Sequence, residues 1–179
     1  LVRSRGLGDV YKRQTWPDET NARIEEFLNT TLTVTGRKVA VFDCDGTVFG
    51  QAPYYLADEA LYDYADKKYK NRKDKESRQK MAILDRMVKD GNNVGKPYVE
   101  DRVHFLSGMT PEEIATLGYD CYMRSYKGKM YPEMKTLISN LKEYGFEVWI
   151  LTASPEFLYQ RFVASELGIP VTHVLGVKG

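Results

Sequence analysis

The sequence is poor in the residues that build metal and disulfide frameworks. It contains two cysteines, Cys44 and Cys121, and two histidines, His104 and His173. Because the cysteines lack CxxC spacing and a matching histidine cluster, neither a zinc site nor a disulfide framework is expected. We expect Cys44 to fill space in the core and His104 to be a surface residue.

An excess of charge of one sign and long apolar runs are also lacking. The 26 basic residues nearly balance the 25 acidic ones, so a net charge of +1 gives no electrostatic reason to expect a nucleic-acid partner. No apolar run approaches the roughly 20 residues of a membrane span. The 179 residues, 42% of them hydrophobic, suffice for one globular core with a small subdomain.

The first residues lack the patterns of folded protein. Residues 1–14, LVRSRGLGDVYKRQ, show no amphipathic period, no cap and no apolar signal-peptide core. Since DVYKRQ resembles the translation of a transposon adapter, we predict that residues 1–14 are an assembly artefact; a disordered native tail is the alternative. A signal peptide could then have been lost, which leaves a cytoplasmic and a periplasmic location open.

Apolar periodicity divides the remaining chain into helices and short strands. VAVF, residues 39–42, predicts a strand buried on both faces. Residues 51–129 have helical patterns only, one of them opened by a capping box at Thr110, Pro111 and Glu113. Beyond them, helices alternate with the strands FEVWILTAS and PVTHVLGV, and such alternation implies a parallel sheet with right-handed crossovers.

We therefore predict an α/β fold: a Rossmann-like, doubly wound parallel sheet with an inserted α-helical cap. The core would comprise residues 15–50 and 130–179, and the cap residues 51–129. Ligands of such sheets bind beyond the carboxyl ends of the strands. The residues that end the first two strands are therefore the candidates for a functional site.

Two aspartates directly follow the first predicted strand. Asp43 and Asp45 are two residues apart, so in an extended segment their side chains can point to the same side. Carboxylates this close favour a cation between or beside them, and Mg²⁺ suits hard oxygen ligands with few protein groups. Gly46 allows a sharp turn whose amides can hold an anion. A solvated turn is the alternative interpretation.

These segments resemble two motifs of the haloacid dehalogenase-like hydrolases: DCDGT is similar to their DxDxT motif, and VWILTAS to their second motif, a strand ending in Ser or Thr. The resemblance implies that Asp43 is the nucleophile, forming an aspartyl-phosphate, and that Asp45 is the general acid and base. It implies Mg²⁺ on the Asp43 carboxylate and the Asp45 main-chain carbonyl. The residues implied in phosphate binding are Thr152, Ala153, Gly46 and Thr47. For Thr152, helix capping is the competing role, although Ser154, followed by Pro155, is the better N-cap candidate.

The function implied is a Mg²⁺-dependent phosphomonoester hydrolase acting on a small phosphorylated metabolite. A phosphotransferase or mutase of the same superfamily, or a degenerate phospho-ligand-binding protein, are the alternatives. The resemblance also implies a downstream lysine and an acidic pair, and Lys178 comes too early to be that lysine. We therefore expect the chain to be truncated at both ends and inactive by itself. No feature of the sequence reports the oligomeric state.

The position of the predicted cap resembles the branch that includes phosphoserine and phosphorylcholine phosphatases. Phosphoserine phosphatases carry an acid about eight or nine positions after the nucleophile, where this chain has Gln51 and Ala52, which disfavours phosphoserine. The candidate substrate residues are Tyr55, Asp58 and Glu59, an aromatic and acidic set that could hold a quaternary ammonium. The alternative is an ordinary core face with solvated acids.

Overall fold

The computed structural model describes residues 11–179, and its elements follow the predicted order. Apolar residues at helical spacing form the helices, and the β-branched and aromatic runs form the strands. Within the described residues the helices are α1 (Asp18–Thr30), α2 (Leu56–Lys68), α3 (Lys75–Asp90), α4 (Lys96–Leu106), α5 (Pro111–Cys121), α6 (Pro132–Glu143) and α7 (Glu156–Leu167). The strands are β1 (Lys38–Phe42), β2 (Phe146–Pro155) and β3 (Val174–Val177). The predicted capping box at the start of α5 is present.

The three strands form one parallel sheet in the order β1-β2-β3. Phe42 of β1 is in register with Ile150 of β2, and Ile150 with Val174 of β3. This confirms the predicted α/β fold class with a Rossmann-like parallel sheet. Because β1 and β2 are parallel neighbours, their carboxyl ends lie side by side, and so do the two sequence motifs that follow them.

One face of the sheet is buried and the other is exposed within the described part of the chain. Val148, Ile150 and Val174 point into the core, whereas Val41 is 59% and Leu151 56% exposed. The described helices thus cover the face that carries the buried residues. None of the described helices is long and apolar enough to cross a membrane.

Two predicted boundaries stay predictions. The proposed cap, residues 51–129, contains α2 to α5 and no strand in the described structure. Of the proposed artefact, residues 1–10 lie outside the described residues, and the remainder contacts the fold. The Tyr11 hydroxyl donates to Asn21 at 2.9 Å, and the Lys12 amide donates to the Asn140 side chain at 2.9 Å.

Helices α5 and α7 pack closely enough that a glycine is required between them. A Cβ atom at Gly118 would lie 1.8 Å from the carbonyl oxygen of Leu158 in α7. A real Cβ never comes this close to backbone, so α5 would have to move away from α7. The contact matters because the next residue of α7, Tyr159, forms a hydrogen bond with Asp45 at the end of β1.

We expect Gly118→Ala to destabilise the protein by about 3 kcal/mol, the upper end of the range that is typical of overpacking. At an uncrowded position inside a helix, replacing glycine by alanine stabilises by about 1 kcal/mol. The sign of the change in unfolding free energy therefore shows whether Gly118 is crowded. Gly128→Ala is the matched control, since a methyl group added there would have no atom within 4 Å beyond its immediate chain neighbours. Urea unfolding of both variants measures the difference, and equal midpoints would contradict the close approach.

Candidate active site

The turn after β1 is held by its own backbone. The amide of Gly46 donates to the Phe49 carbonyl at 2.8 Å, and the amide of Thr47 donates to the Cys44 carbonyl at 3.2 Å. Gly46 has a φ of +74°, a conformation that favours glycine. In this conformation both amides are already used within the turn, which differs from the sequence expectation that they hold an anion.

The side chain of Thr47 contacts the predicted nucleophile instead. Its hydroxyl Oγ1 donates to Oδ2 of Asp43 at 3.2 Å. This hydrogen bond fixes one carboxylate oxygen of Asp43 and leaves Oδ1 without a hydrogen-bond donor among the described residues. The arrangement therefore orients the Asp43 carboxylate while keeping one oxygen free to react or to bind a cation.

The end of β2 brings Thr152 and Ser154 next to the turn. Thr152 is buried, and its Oγ1 accepts a hydrogen bond from the amide of Ser154 at 3.1 Å. The prediction that Ser154 caps the following helix is wrong: Pro155 occupies the N-cap position without a side-chain cap, because β2 extends through Pro155. The Ser154 hydroxyl instead donates to Oδ2 of Asp45 at 3.4 Å.

Asp45 lies in a more enclosed environment than a surface aspartate. The Tyr159 hydroxyl, from the first turn of α7, lies 2.8 Å and 2.9 Å from its two carboxylate oxygens. Burial raises the pKa of Asp45 to about 6, the Tyr159 hydrogen bond acts in the opposite direction, and the charge of Asp43 adds to the rise. A carboxyl group with this pKa can hold a proton near neutral pH and release it.

A cavity of about 370 Å³ lies between the ends of strands β1 and β2 and the helical segment. The predicted residues that line it from the sheet side are Asp43, Asp45, Gly46, Thr47, Thr152 and Ala153. A second cavity of about 400 Å³ has mainly apolar walls and shares none of these residues. The first cavity is therefore the candidate active site.

The three candidate substrate residues of the helical segment have different surroundings. Tyr55 lines the cavity. Asp58 is buried in a two-bond ion pair with Arg102, with Oδ1 2.7 Å from Nε and Oδ2 3.0 Å from Nη2. Glu59 lies near the hydroxyl of Tyr126 and does not line the cavity. Of the three, only Tyr55 is brought to the predicted catalytic residues.

Arg102 is a cavity residue that sequence reasoning missed. Its guanidinium lies over the ring of Tyr98 at 4.8 Å and over that of Tyr55 at 5.8 Å. Since Tyr98 and Arg102 are four residues apart on α4, helical spacing alone could have paired them. The approach of Arg102 to the aspartates required the fold. Because Asp58 is paired with Arg102, its carboxylate is not free to bind a quaternary ammonium.

Comparison with known proteins places the chain in a family. A family model described as haloacid dehalogenase-like hydrolase matches residues 40–178. The chain belongs to the haloacid dehalogenase-like hydrolases. This match covers both strand-end motifs and the helical segment between them, so it confirms the family resemblance.

Among solved structures, the chain is similar to a phosphoserine phosphohydrolase-like protein from Francisella tularensis subsp. tularensis SCHU S4, with a TM-score of 0.47 and 19% sequence identity. The alignment covers 78% of this chain and 58% of that one. The chain thus spans less than two thirds of that protein's length. No curated protein sequence matches it.

The oxygen atoms at the end of β1 fit a magnesium ion. Asp43 offers a carboxylate oxygen to which no donor in residues 11–179 is bonded, and the main chain of Asp45 offers a carbonyl. Mg²⁺ is commonly bound in this way, through one or two carboxylates, with water and substrate phosphate as further ligands. Within residues 11–179 no group of three or more His, Cys, Asp or Glu side chains could hold a metal, so the described part of the chain supplies few side-chain ligands.

Two further expectations are confirmed. Cys44 is fully buried and free, with its side chain in the core beneath the motif. Burial also raises the pKa of its thiol well above the ordinary value, which keeps it uncharged. His104 has a mostly exposed side chain on α4 and takes no part in the aspartate cavity.

Proposed function

We propose that the protein is a Mg²⁺-dependent phosphomonoester hydrolase that acts through an aspartyl-phosphate on a small phosphorylated metabolite. The observation that carries the proposal is the pair Asp43 and Asp45 in one cavity with unlike surroundings. Among the described residues no donor reaches Oδ1 of Asp43, as a nucleophile needs, whereas Asp45 is enclosed by Tyr159 and Ser154. Two carboxyl groups with such different environments can divide the roles of nucleophile and acid.

In the proposed first step, Oδ1 of Asp43 attacks the phosphorus atom and the ester P–O bond breaks. The carboxyl proton of Asp45 passes to the leaving oxygen, so that the product leaves as a neutral alcohol. Thr152 would donate its hydroxyl to a phosphoryl oxygen, since its Oγ1 accepts from Ser154 and keeps its own proton free. A bound Mg²⁺ would offset the negative charge shared by phosphate and Asp43.

In the second step, the Asp45 carboxylate takes a proton from water, and the water oxygen attacks the phosphorus of the aspartyl-phosphate. The bond between phosphorus and Asp43 breaks, inorganic phosphate leaves, and both side chains return to their starting states. A pKa of about 6 for Asp45 supports this exchange of roles, because the group must both give and accept a proton near neutral pH.

The cavity favours a compact substrate without positive charge. Its volume of about 370 Å³ is at the small end of the range for ligand pockets. Arg102 is a basic residue of its wall, and its ion pair with Asp58 occupies the carboxylate to which a cationic substrate group would otherwise bind. A neutral or acidic organic group beside the phosphate is therefore the substrate chemistry that we propose.

The experiment is phosphate release by the full-length protein that contains this chain. The panel is p-nitrophenyl phosphate, phosphoserine and phosphorylcholine, each with Mg²⁺ and with EDTA. We expect Mg²⁺-dependent release that EDTA abolishes, with phosphorylcholine the poorest of the three. No release from any member would contradict the hydrolase, and binding of phosphate esters without turnover would favour a phospho-ligand-binding protein. A phosphoenzyme that resists water yet transfers phosphate to an alcohol would indicate a phosphotransferase.

A further inference from the structure

The hydroxyl of Tyr159 lies at the centre of a small buried hydrogen-bond network. It is 2.8 Å and 2.9 Å from the carboxylate oxygens of Asp45 and 3.2 Å from the Ser154 hydroxyl. It also accepts a hydrogen bond from the backbone amide of Ala57, in the first turn of α2, at 3.3 Å. The side chain is fully buried, so water does not compete for these contacts.

The partners determine where the tyrosine proton points. An amide N–H can only donate, so the Ala57 amide occupies a lone pair of the Tyr159 oxygen. The hydroxyl has a single proton to give, and the two oxygens of Asp45 are its closest acceptors. Tyr159 therefore joins the start of α2, in the predicted cap, to the carboxyl group of Asp45, in the core.

The ring of Tyr159 is held as firmly as its hydroxyl. It stacks on Phe49, with ring centroids 6.4 Å apart, and packs against Phe162 at 5.3 Å. Both neighbours are fully buried, and Phe49 also contacts Tyr122 edge-on at 6.3 Å. Because the ring is fixed on a helix and within an aromatic cluster, the hydroxyl cannot move away from Asp45 without repacking the core.

We propose that Tyr159 is the residue that positions Asp45 for proton transfer to the leaving group. The inference rests on the proposed function and goes beyond it, since Tyr159 belongs to neither strand-end motif. It predicts that, in the step that forms the phosphoenzyme, Tyr159 matters only where Asp45 must give a proton. An alkyl phosphate needs that proton because an alkoxide is a poor leaving group, whereas p-nitrophenolate leaves without one.

The test is Tyr159→Phe in the full-length protein with Mg²⁺. For the best alkyl phosphomonoester we expect kcat/KM to fall about 10- to 100-fold, part of the roughly 10²- to 10⁴-fold that general acid catalysis provides. For p-nitrophenyl phosphate the rate of phosphoenzyme formation should change less than about threefold, because no proton transfer is needed. A structural defect would lower both rates together, so the split between the two substrates is the decisive readout.

Tyr122→Phe is the matched control, because it removes a hydroxyl from the same aromatic cluster. The buried Tyr122 hydroxyl has no hydrogen-bond partner among the described residues, and its ring stacks on Phe162 at 4.4 Å. We expect both substrates to be turned over as in the wild type. A double-mutant cycle adds a second readout: in an Asp45→Asn background, Tyr159→Phe should cost almost nothing further, since its effect passes through Asp45.

The outcomes separate this inference from the proposed function. Wild-type protein that hydrolyses no phosphomonoester overturns both. Active wild type with equal losses on the alkyl and nitrophenyl substrates, or with no loss on either, overturns the role of Tyr159 alone. Additive losses in the Asp45→Asn background also overturn it, because a residue acting through Asp45 cannot be additive with its removal.

Discussion

Asp43→Asn should reduce phosphate release by at least about a thousandfold, because loss of a nucleophile removes the covalent step itself. An amide has no negative oxygen with which to attack phosphorus, and it binds Mg²⁺ less strongly than a carboxylate. The change keeps the shape of the side chain and an acceptor for the Thr47 hydroxyl, which lies 3.2 Å from Oδ2 in the wild type. The fold should therefore be retained.

The measurement is steady-state phosphate release combined with intact mass spectrometry of acid-quenched protein. Wild type mixed with p-nitrophenyl phosphate should carry a phosphoryl group, and Asp43→Asn should carry none. Asp45→Asn should still accumulate the phosphoenzyme, because Asp43 is present and the water-activating base is not. Asp90→Asn, at the exposed end of α3, is a control for amide substitution in general. Turnover that survives Asp43→Asn would rule out the mechanism.

The positions of the two aspartates could be predicted because they depend on local rules. An apolar run followed by Asp43 and Asp45 predicts a strand end, and parallel pairing then brings Thr152 beside them. Alternation of strands with helices also predicted a parallel sheet, whereas the strand order β1-β2-β3 is known from the structure. Strand periodicity and chain direction sufficed for these positions, and the roles of nucleophile and acid came from the family resemblance.

The environment of Asp45 could not be predicted in the same way. Tyr159 is separated from Asp45 by 114 residues, and in PEFLYQRF it stands at core spacing beside Leu158 and Phe162. Periodicity predicts that such a tyrosine is buried, but the partner of its hydroxyl depends on the packing of α7 against the strand ends. Ser154 was misassigned for a related reason: a serine before proline is typical of a helix start, yet β2 continues through Pro155.

In the helical segment, too, contacts between residues distant in sequence could not be predicted. Tyr55, Asp58 and Glu59 are close in sequence, and their aromatic and acidic character suggested one pocket for a quaternary ammonium. The fold divides them, because Asp58 turns inward to an arginine 44 residues away. A charged pair across that distance leaves no local pattern, so the sequence could not show that Asp58 is paired with Arg102.

Asp58→Ala is expected to lower the free energy of unfolding by about 3–5 kcal/mol, because it leaves the Arg102 guanidinium buried without its counter-charge. The side chains of the two residues are only 4% and 3% exposed. The loss would be a large part of the roughly 5–15 kcal/mol that stabilises a typical domain. Urea unfolding of the chain measures it, provided that the slope of the transition is unchanged.

Lys96→Ala is the matched control, since Lys96 and Glu100 form an ion pair on the exposed side of α4 with an N–O distance of 3.6 Å. Its unfolding midpoint should stay close to that of the wild type, because solvent already screens the pair. Equal effects of the buried and exposed changes would contradict the assigned burial of Asp58 and Arg102.

The double variant Asp58→Leu with Arg102→Met separates stability from function. Replacing both members of a buried ion pair by apolar residues of similar volume is often neutral or stabilising, so most of the unfolding free energy should return. The affinity for acidic phosphomonoesters should not be restored together with the stability, because the cavity wall has lost the Arg102 cation. We expect KM for acidic phosphomonoesters to rise while kcat for p-nitrophenyl phosphate changes little. An unchanged KM would mean that the arginine serves Asp58 alone and that the substrate does not reach it.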